Sequence, residues 1–204
     1  FSAQSLIAQN DDLGIFQAST DIGDVKIAGS AEYLAGEDSY VIRGAGENMW
    51  FSRDEFHFLY KKMSGDFTLQ TRAEFVGDGV NAHRKLGWMI RASLDSSAAY
   101  VDATVHGDGL TSMQFRPEQG ADTEEIQSGI SAPELIRLQR KGDTYTMSVG
   151  HSPDSMEREI LSGIKLGETV YVGLFVCSHE VDVIEEAVFT NVQIKKAGSE
   201  TESD

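Results

Sequence analysis

Apolar residues recur along this chain at every second position far more often than at the 3.6-residue period of a helix. The segment DFTLQTRAEF (66–75) alternates cleanly, with Phe67, Leu69, Thr71, Ala73 and Phe75 set against Thr68, Gln70, Arg72 and Glu74. In EFHFLYKKM (55–63), Phe56, Phe58 and Tyr60 share one face and Glu55, His57 and Leu59 the other. The same reading predicts strands at 33–34, 40–42, 49–51, 86–93, 98–106, 109–116, 135–141, 144–150, 156–161, 169–177 and 186–194. Turn-forming clusters separate them, among them SGD (64–66), GDG (77–79), HGDG (106–109) and KGDT (141–144). No stretch offers sustained helical periodicity behind a capping residue, and the one helical candidate is a turn or two near Ser131–Leu135.

Many short strands at this spacing predict an all-β fold, a two-sheet antiparallel jelly-roll β-sandwich. A lipocalin-like barrel has too few strands for this pattern. No repeat of ~20–50 residues marks a propeller or solenoid.

Composition narrows the partners. The 204 residues carry 17 Lys plus Arg against 33 Asp plus Glu, a formal charge of -16. Such a field repels polyanions, and phosphate binding needs a concentrated basic surface, so nucleic acid is not expected. No window reaches the ~18 uninterrupted apolar residues of a membrane-spanning helix, so membrane insertion is not expected. The length suits one domain, assigned to residues 13–195. Residues 1–12 read as a trimmed boundary or the edge of a removed secretory signal peptide, and 196–204 as a polar acidic tail or linker to a further domain of the same polypeptide. Cys177, the single cysteine, forms no intrachain disulfide and reads as a small buried hydrophobe in VYVGLFVCS.

Three strands carry more than a solvated Lys/Glu mix on their second face. In 86–93, Leu86, Trp88 and Ile90 leave Gly87, Met89 and Arg91 opposite; in 98–106, Tyr100, Asp102, Thr104 and His106 alternate with apolar residues; in 109–116, Ser112, Gln114 and Arg116 do so. Were these strands adjacent, one exposed face would hold Arg91, Tyr100, Asp102, Thr104, Gln114 and Arg116, with His106 at its rim. Planar amides, guanidinium forks and an aromatic ring suit a polyhydroxylated ligand; the bland alternative is a solvated face with an Arg91–Asp102 pair. The candidate ligand-binding set is His83, Arg84, Arg91, Tyr100, Gln114, Arg116 and Trp50, with His83 and Arg84 on a glycine-rich loop. Loss of Arg91 should then abolish binding without lowering the melting temperature.

Catalytic signatures such as GxSxG, HExxH and CxxC are missing, and the five histidines are scattered without metal-binding spacing. Glu55, His57 and His106 are the acid–base candidates. Glu55 with Asp102 is the one carboxylate pair to consider for glycoside hydrolysis. No cofactor is expected; Asp108 in HGDGL is a candidate hard-cation ligand, leaving calcium open.

Taken together, GIFQASTDIGDVKIAGSAEYLAGEDSYVIRGAGENMWFSRDEFHFLYKKMSGDFTLQTRAEFVG, HRKLGWMIRASLD, HGDGLTSMQFR, IRLQRKGDTYTMSV, VYVGLFVCSH and FTNVQI resemble the concanavalin A-like (laminin G-like) jelly-roll domains of the DUF1349 type. Such domains occur in secreted bacterial proteins, some joined to glycoside hydrolases and others to TolB-type propellers. The resemblance implies a secreted or periplasmic location and an association with carbohydrate. The chain lacks the ExDxxE run of the related glucanases and the RxELR, QxH and YxxGxYxQ strands of the related lyases. The leading expectation is a non-catalytic module that binds a poly- or oligosaccharide. A jelly-roll hydrolase or lyase is the first alternative, and an assembly module of an envelope protein the second.

Overall fold

The computed structural model describes residues 12–198, so most of the N-terminal segment and of the acidic tail lies outside the described residues. Within them the strands are β1 (Ala18–Ile22), β2 (Ser30–Leu34), β3 (Ser39–Gly46), β4 (Phe56–Ser64), β5 (Phe67–Phe75), β6 (Lys85–Arg91) and β7 (Tyr100–His106). There follow β8 (Thr111–Arg116), β9 (Glu124–Gln127), β10 (Leu135–Lys141), β11 (Thr144–Gly150), β12 (Glu157–Ser162), β13 (Thr169–Cys177) and β14 (Glu180–Lys196). They form two seven-stranded sheets, β1-β4-β13-β6-β7-β8-β9 and β12-β11-β10-β5-β14-β3-β2. Every strand pairing among the described residues is antiparallel. The predicted jelly-roll sandwich is therefore the observed one.

Alternation builds the core between the sheets. The first sheet contributes Leu86, Trp88, Ile90, Val101, Ala103, Met113, Val172 and Leu174, and the second Ile42, Leu69, Ile136, Leu138, Met147 and Phe189, all buried. The Phe56/Phe58 face of β4 and the Met89/Arg91 face of β6 point away from this core, as their parity predicts.

Two local expectations are corrected. Residues 49–51 form no strand, and no helix occurs at 131–135, where Ala132 takes a left-handed φ of 48° within a turn. The segment 47–55 instead crosses the outer face of the first sheet as an irregular strap. It starts at Gly46, whose φ of 126° is costly for any residue with a Cβ, and a Cβ there would lie 2.1 Å from the Glu55 carbonyl oxygen. Beneath the strap lies a second apolar cluster of Ile22, Met49, Phe56, Phe58, Met89, Tyr100, Phe175 and Cys177.

Backbone groups of the strap are met one by one. Tyr100 Oη donates to the Met49 carbonyl (2.7 Å), Arg116 Nη2 to that of Phe51 (2.6 Å), and the Thr123 N–H to that of Trp50 (3.1 Å). The strap's own Asp54 is 1% exposed and receives both outer-face arginines: Arg116 Nη2 at 2.7 Å and Nη1 at 2.9 Å, and Arg91 Nη2 at 3.2 Å. The remaining guanidinium hydrogens go mostly to carbonyls, Arg91 to Ser93 and Asp95, Arg116 to Ala98 and Ala121. One carboxylate thus neutralises part of two buried positive charges, and its removal leaves both uncompensated.

Breaking a buried ion pair by deleting one partner costs about 3–5 kcal/mol. At roughly 2–4 °C per kcal/mol for a domain of this size, Asp54→Ala should lower the melting temperature by about 10 °C. Thermal unfolding followed by circular dichroism checks this; an unchanged midpoint would mean that the triad does not hold the strap down.

Candidate functional site

The strap stops short of one end of the sheet. There the outer face remains open as a pocket of about 220 Å³ lined by Asn48, Trp50, His83, Lys85, His106, Leu110, Gln114, Glu125 and His179. Antiparallel register assembles it: Lys85 at the start of β6 pairs with His106 at the end of β7, and Cys177 at the end of β13 pairs with Lys85. The turn from β13 to β14 then delivers His179, held at a φ of 60° that favours glycine. Ser178 Oγ fixes that turn by donating to the Glu180 carbonyl at 2.6 Å. His83 is positioned by Asn81, whose Oδ1 accepts the His83 N–H at 2.8 Å while its Nδ2 donates to Glu180 Oε1 at 2.8 Å.

The polar groups form a chain. Gln114 Nε2 lies 3.2 Å from His106 Nε2, and His106 Nδ1 lies 3.4 Å from His83 Nδ1. With the amide donating, His106 carries its proton on Nδ1 and passes a hydrogen bond to His83, leaving His83 Nε2–H free to donate. Lys85 Nζ donates to Asn48 Oδ1 at 2.9 Å and faces His179 Nδ1 at 3.4 Å. Burial, seconded by the Lys85 charge, pulls His106 down to about 3 and His179 to about 4, so both imidazoles are neutral at neutral pH. Burial likewise lowers Lys85 and pushes the Asp102 carboxyl up to about 8. Two buried polar atoms on this face lack a partner, Gln114 Oε1 and Ser112 Oγ, while the Asp102 carboxyl and Thr104 hydroxyl face one another.

Of the residues singled out by sequence, Trp50, His83, His106 and Gln114 come together here. Arg91, Tyr100 and Arg116 do share the expected sheet face, but they are 0% exposed, because the strap covers them. The exposed face is corrected to a buried one, and Arg91 pairs with Asp54 instead of Asp102. Arg84 turns away from the pocket to Glu185 (2.6 Å) and stacks over Phe75. His57 is buried against Asp21, its Nδ1 2.7 Å from Oδ1. Glu55 accepts the Glu47 N–H and lines a separate cleft of about 440 Å³ with Asp24, Glu47 and Arg53. That cleft is larger and its lining is rich in carboxylates, with no imidazole among them. Asp108 closes its own turn by accepting the Leu110 N–H. Among the described residues no group of three His, Cys, Asp or Glu side chains is arranged to hold a metal ion.

His179, Asn48 and Glu125 were not predicted, and Lys85, which follows His83 and Arg84 in one basic cluster, stood outside the candidate ligand-binding set. The β6/β7 register could have found Lys85, which has the parity of Arg91; His179 sits in a turn after an apolar strand and carries no such signal.

No family model matches the chain, and no curated protein matches it significantly. Solved structures do match. A functionally unknown protein from Saccharomyces cerevisiae superposes with a TM-score of 0.65 at 16% identity, over 87% of this chain and 96% of that one. The carbohydrate-binding module CBM66 from Bacillus subtilis gives 0.55 at 17% identity, over 89% and 98%. A family 7 alginate lyase crystallised with product gives 0.56 at 12% identity, over 93% and 98%. The fold is that of the concanavalin A-like jelly rolls. Within this concanavalin A-like sandwich the pocket sits on the outer face of the first sheet, beyond the edge of the strap.

The pocket groups set a pH optimum for folding. Between about 4 and 6.5 the unfolded chain protonates His106 and His179, ordinary value 6.5, while the folded chain protonates Asp102 instead. Two protons against one means that stability rises with pH in that window. Between 6.5 and about 8 the folded chain alone retains the Asp102 proton, so stability falls. Denaturant unfolding across this range should show a maximum near pH 6.5, and Asp102→Asn should flatten its alkaline limb; a limb that persists in the variant would assign it to other groups.

Proposed function

We propose that the protein is a non-catalytic carbohydrate-recognition module, working in a secreted or periplasmic setting, that takes one ring of a glycan into the pocket beside Trp50. The observation that carries this reading is Gln114: its side chain is 0% exposed, it lines the pocket, and its Oε1 has no internal partner. A buried acceptor without a donor costs free energy that an incoming hydroxyl would recover. Trp50, half-buried at the rim, offers a flat apolar surface to the face of a sugar ring, and His83 offers its Nε2–H. At about 220 Å³ the pocket is smaller than the roughly 300–1,000 Å³ of drug-sized sites, which suits a single ring with the rest of the chain outside. The likeness to the carbohydrate-binding module from Bacillus subtilis supports the same substrate class.

A second reading, an enzyme, draws on His106 and His179, neutral imidazoles that could serve as general bases. Glu125 is the single carboxylate lining the pocket, so the two-carboxylate machinery of glycoside hydrolysis has no second member there. A histidine-based elimination would be the form such an enzyme takes.

A thermal-shift screen over a broad oligosaccharide panel, with each well then assayed for cleavage products, tests both readings. A ligand at a hundredfold excess over its Kd stabilises by about 2.7 kcal/mol. For a saccharide so found, Trp50→Ala should weaken binding roughly two- to tenfold, the range of aromatic contacts, without moving the melting temperature of the free protein. Stabilisation without products supports the binding module, products support the enzyme, and silence across the panel rejects both in favour of an assembly role.

A further inference from the structure

The buried cations of this protein are not treated alike. Arg84 faces Glu185, and Arg91 and Arg116 share Asp54. Arg140 donates to the Gly142 and Gly167 carbonyls. Among the described residues Lys85, 2% exposed, has no carboxylate within ion-pair distance: its ammonium meets the neutral Asn48 Oδ1 and His179 Nδ1, and its third N–H finds no acceptor among them. An ammonium withdrawn from water without a counter-ion is among the costliest groups a protein can bury. Here it opens into a pocket that also holds an unpartnered amide oxygen and an aromatic ring.

The ionisable neighbours act on Lys85 through space without pairing with it, the Glu125 carboxylate among them. On β7, Asp102 is protonated by burial up to about pH 8, and His106 is neutral. On β13, the Cys177 thiol is raised by burial and stays uncharged. His179 in the following turn is neutral, and His83 stands exposed at the mouth. On β9, Glu125 lines the pocket half-buried, with its Oε1 accepting the Gln127 amide at 2.7 Å. A chain of net charge -16 has thus placed an unpaired positive charge at the floor of its candidate sugar pocket.

We propose that the pocket selects a carboxylate-bearing sugar unit, a uronate or similar acidic monosaccharide, with Lys85 Nζ as its counter-ion. The proposal rests on the reading that the pocket takes a glycan ring, and it names the chemical class of that ring. A carboxylate presents two oxygens, matched by the free Lys85 N–H and an imidazole N–H. Long-range repulsion by the acidic surface is screened beyond roughly 8–10 Å at physiological salt, so the local ammonium decides the sign felt inside the pocket.

The test is calorimetric titration of the folded protein with oligogalacturonate, oligoglucuronate, oligomannuronate and oligoguluronate, each beside its carboxyl-reduced counterpart. At least one uronate should bind roughly tenfold or more tightly than its reduced form, the scale of a hydrogen bond to a charged group. In Lys85→Met that preference should vanish, while Lys85→Arg should keep part of it. Lys85→Gln serves if the Met variant fails to fold. Reduced sugars that bind as well as or better than the uronates, or a preference that survives loss of the ammonium, would overturn the proposal and leave the glycan reading standing. No binding in either series, with the broad panel also silent, would overturn both.

Discussion

The site depends on a single carboxylate placed between two guanidinium groups. Asp54 alone brings Arg91 and Arg116, from β6 and β8, into one buried cluster, and through it the strap 47–55 is fixed to the first sheet. Electrostatics does not act alone there, since Tyr100, Thr123 and Arg116 also satisfy the strap's carbonyls. Without the strap, the aromatic cluster of Phe56, Phe58 and Phe175 would face water, and the pocket would lose two of its walls, Asn48 and Trp50.

This arrangement divides the outer face of the first sheet by chemistry. Under the strap, polar groups are paired and apolar ones packed. Beyond it, Gln114 and Ser112 keep unpartnered atoms, and Lys85 meets no carboxylate at ion-pair distance among the described residues. Protein interiors rarely leave such groups unmatched, and where they do the cause is commonly functional. The left-handed turn at His179 belongs to the same region and carries a backbone cost of the same kind.

Much of the fold was legible from period-two alternation, because a sandwich with two distinct faces writes its register into the sequence. The strands at 135–141, 144–150 and 169–177 match their predicted limits, and the parity of Arg91, Tyr100, Gln114 and Arg116 is as read. What alternation cannot reveal is whether the outward face meets water. MWF at 49–51 has the composition of a strand yet folds as a cover, since Gly46 turns the chain across the sheet and Asp54 secures it. Pairing between Asp54 and arginines 37 and 62 positions away leaves no local signal. The same holds for the imidazoles of His83, His106 and His179, which converge only through strand pairing and a turn between the sheets.

The strap can also be regarded as a resident ligand covalently attached to its own receptor. Linking two binding partners by a short segment raises their effective concentration to the millimolar range and beyond. Any free polymer approaching the covered part of the face competes against that tethered occupant, which also brings a buried ion pair of its own. In an open sheet a long chain could lie across many subsites. Here the tether occupies that track and leaves only the pocket at its end uncovered.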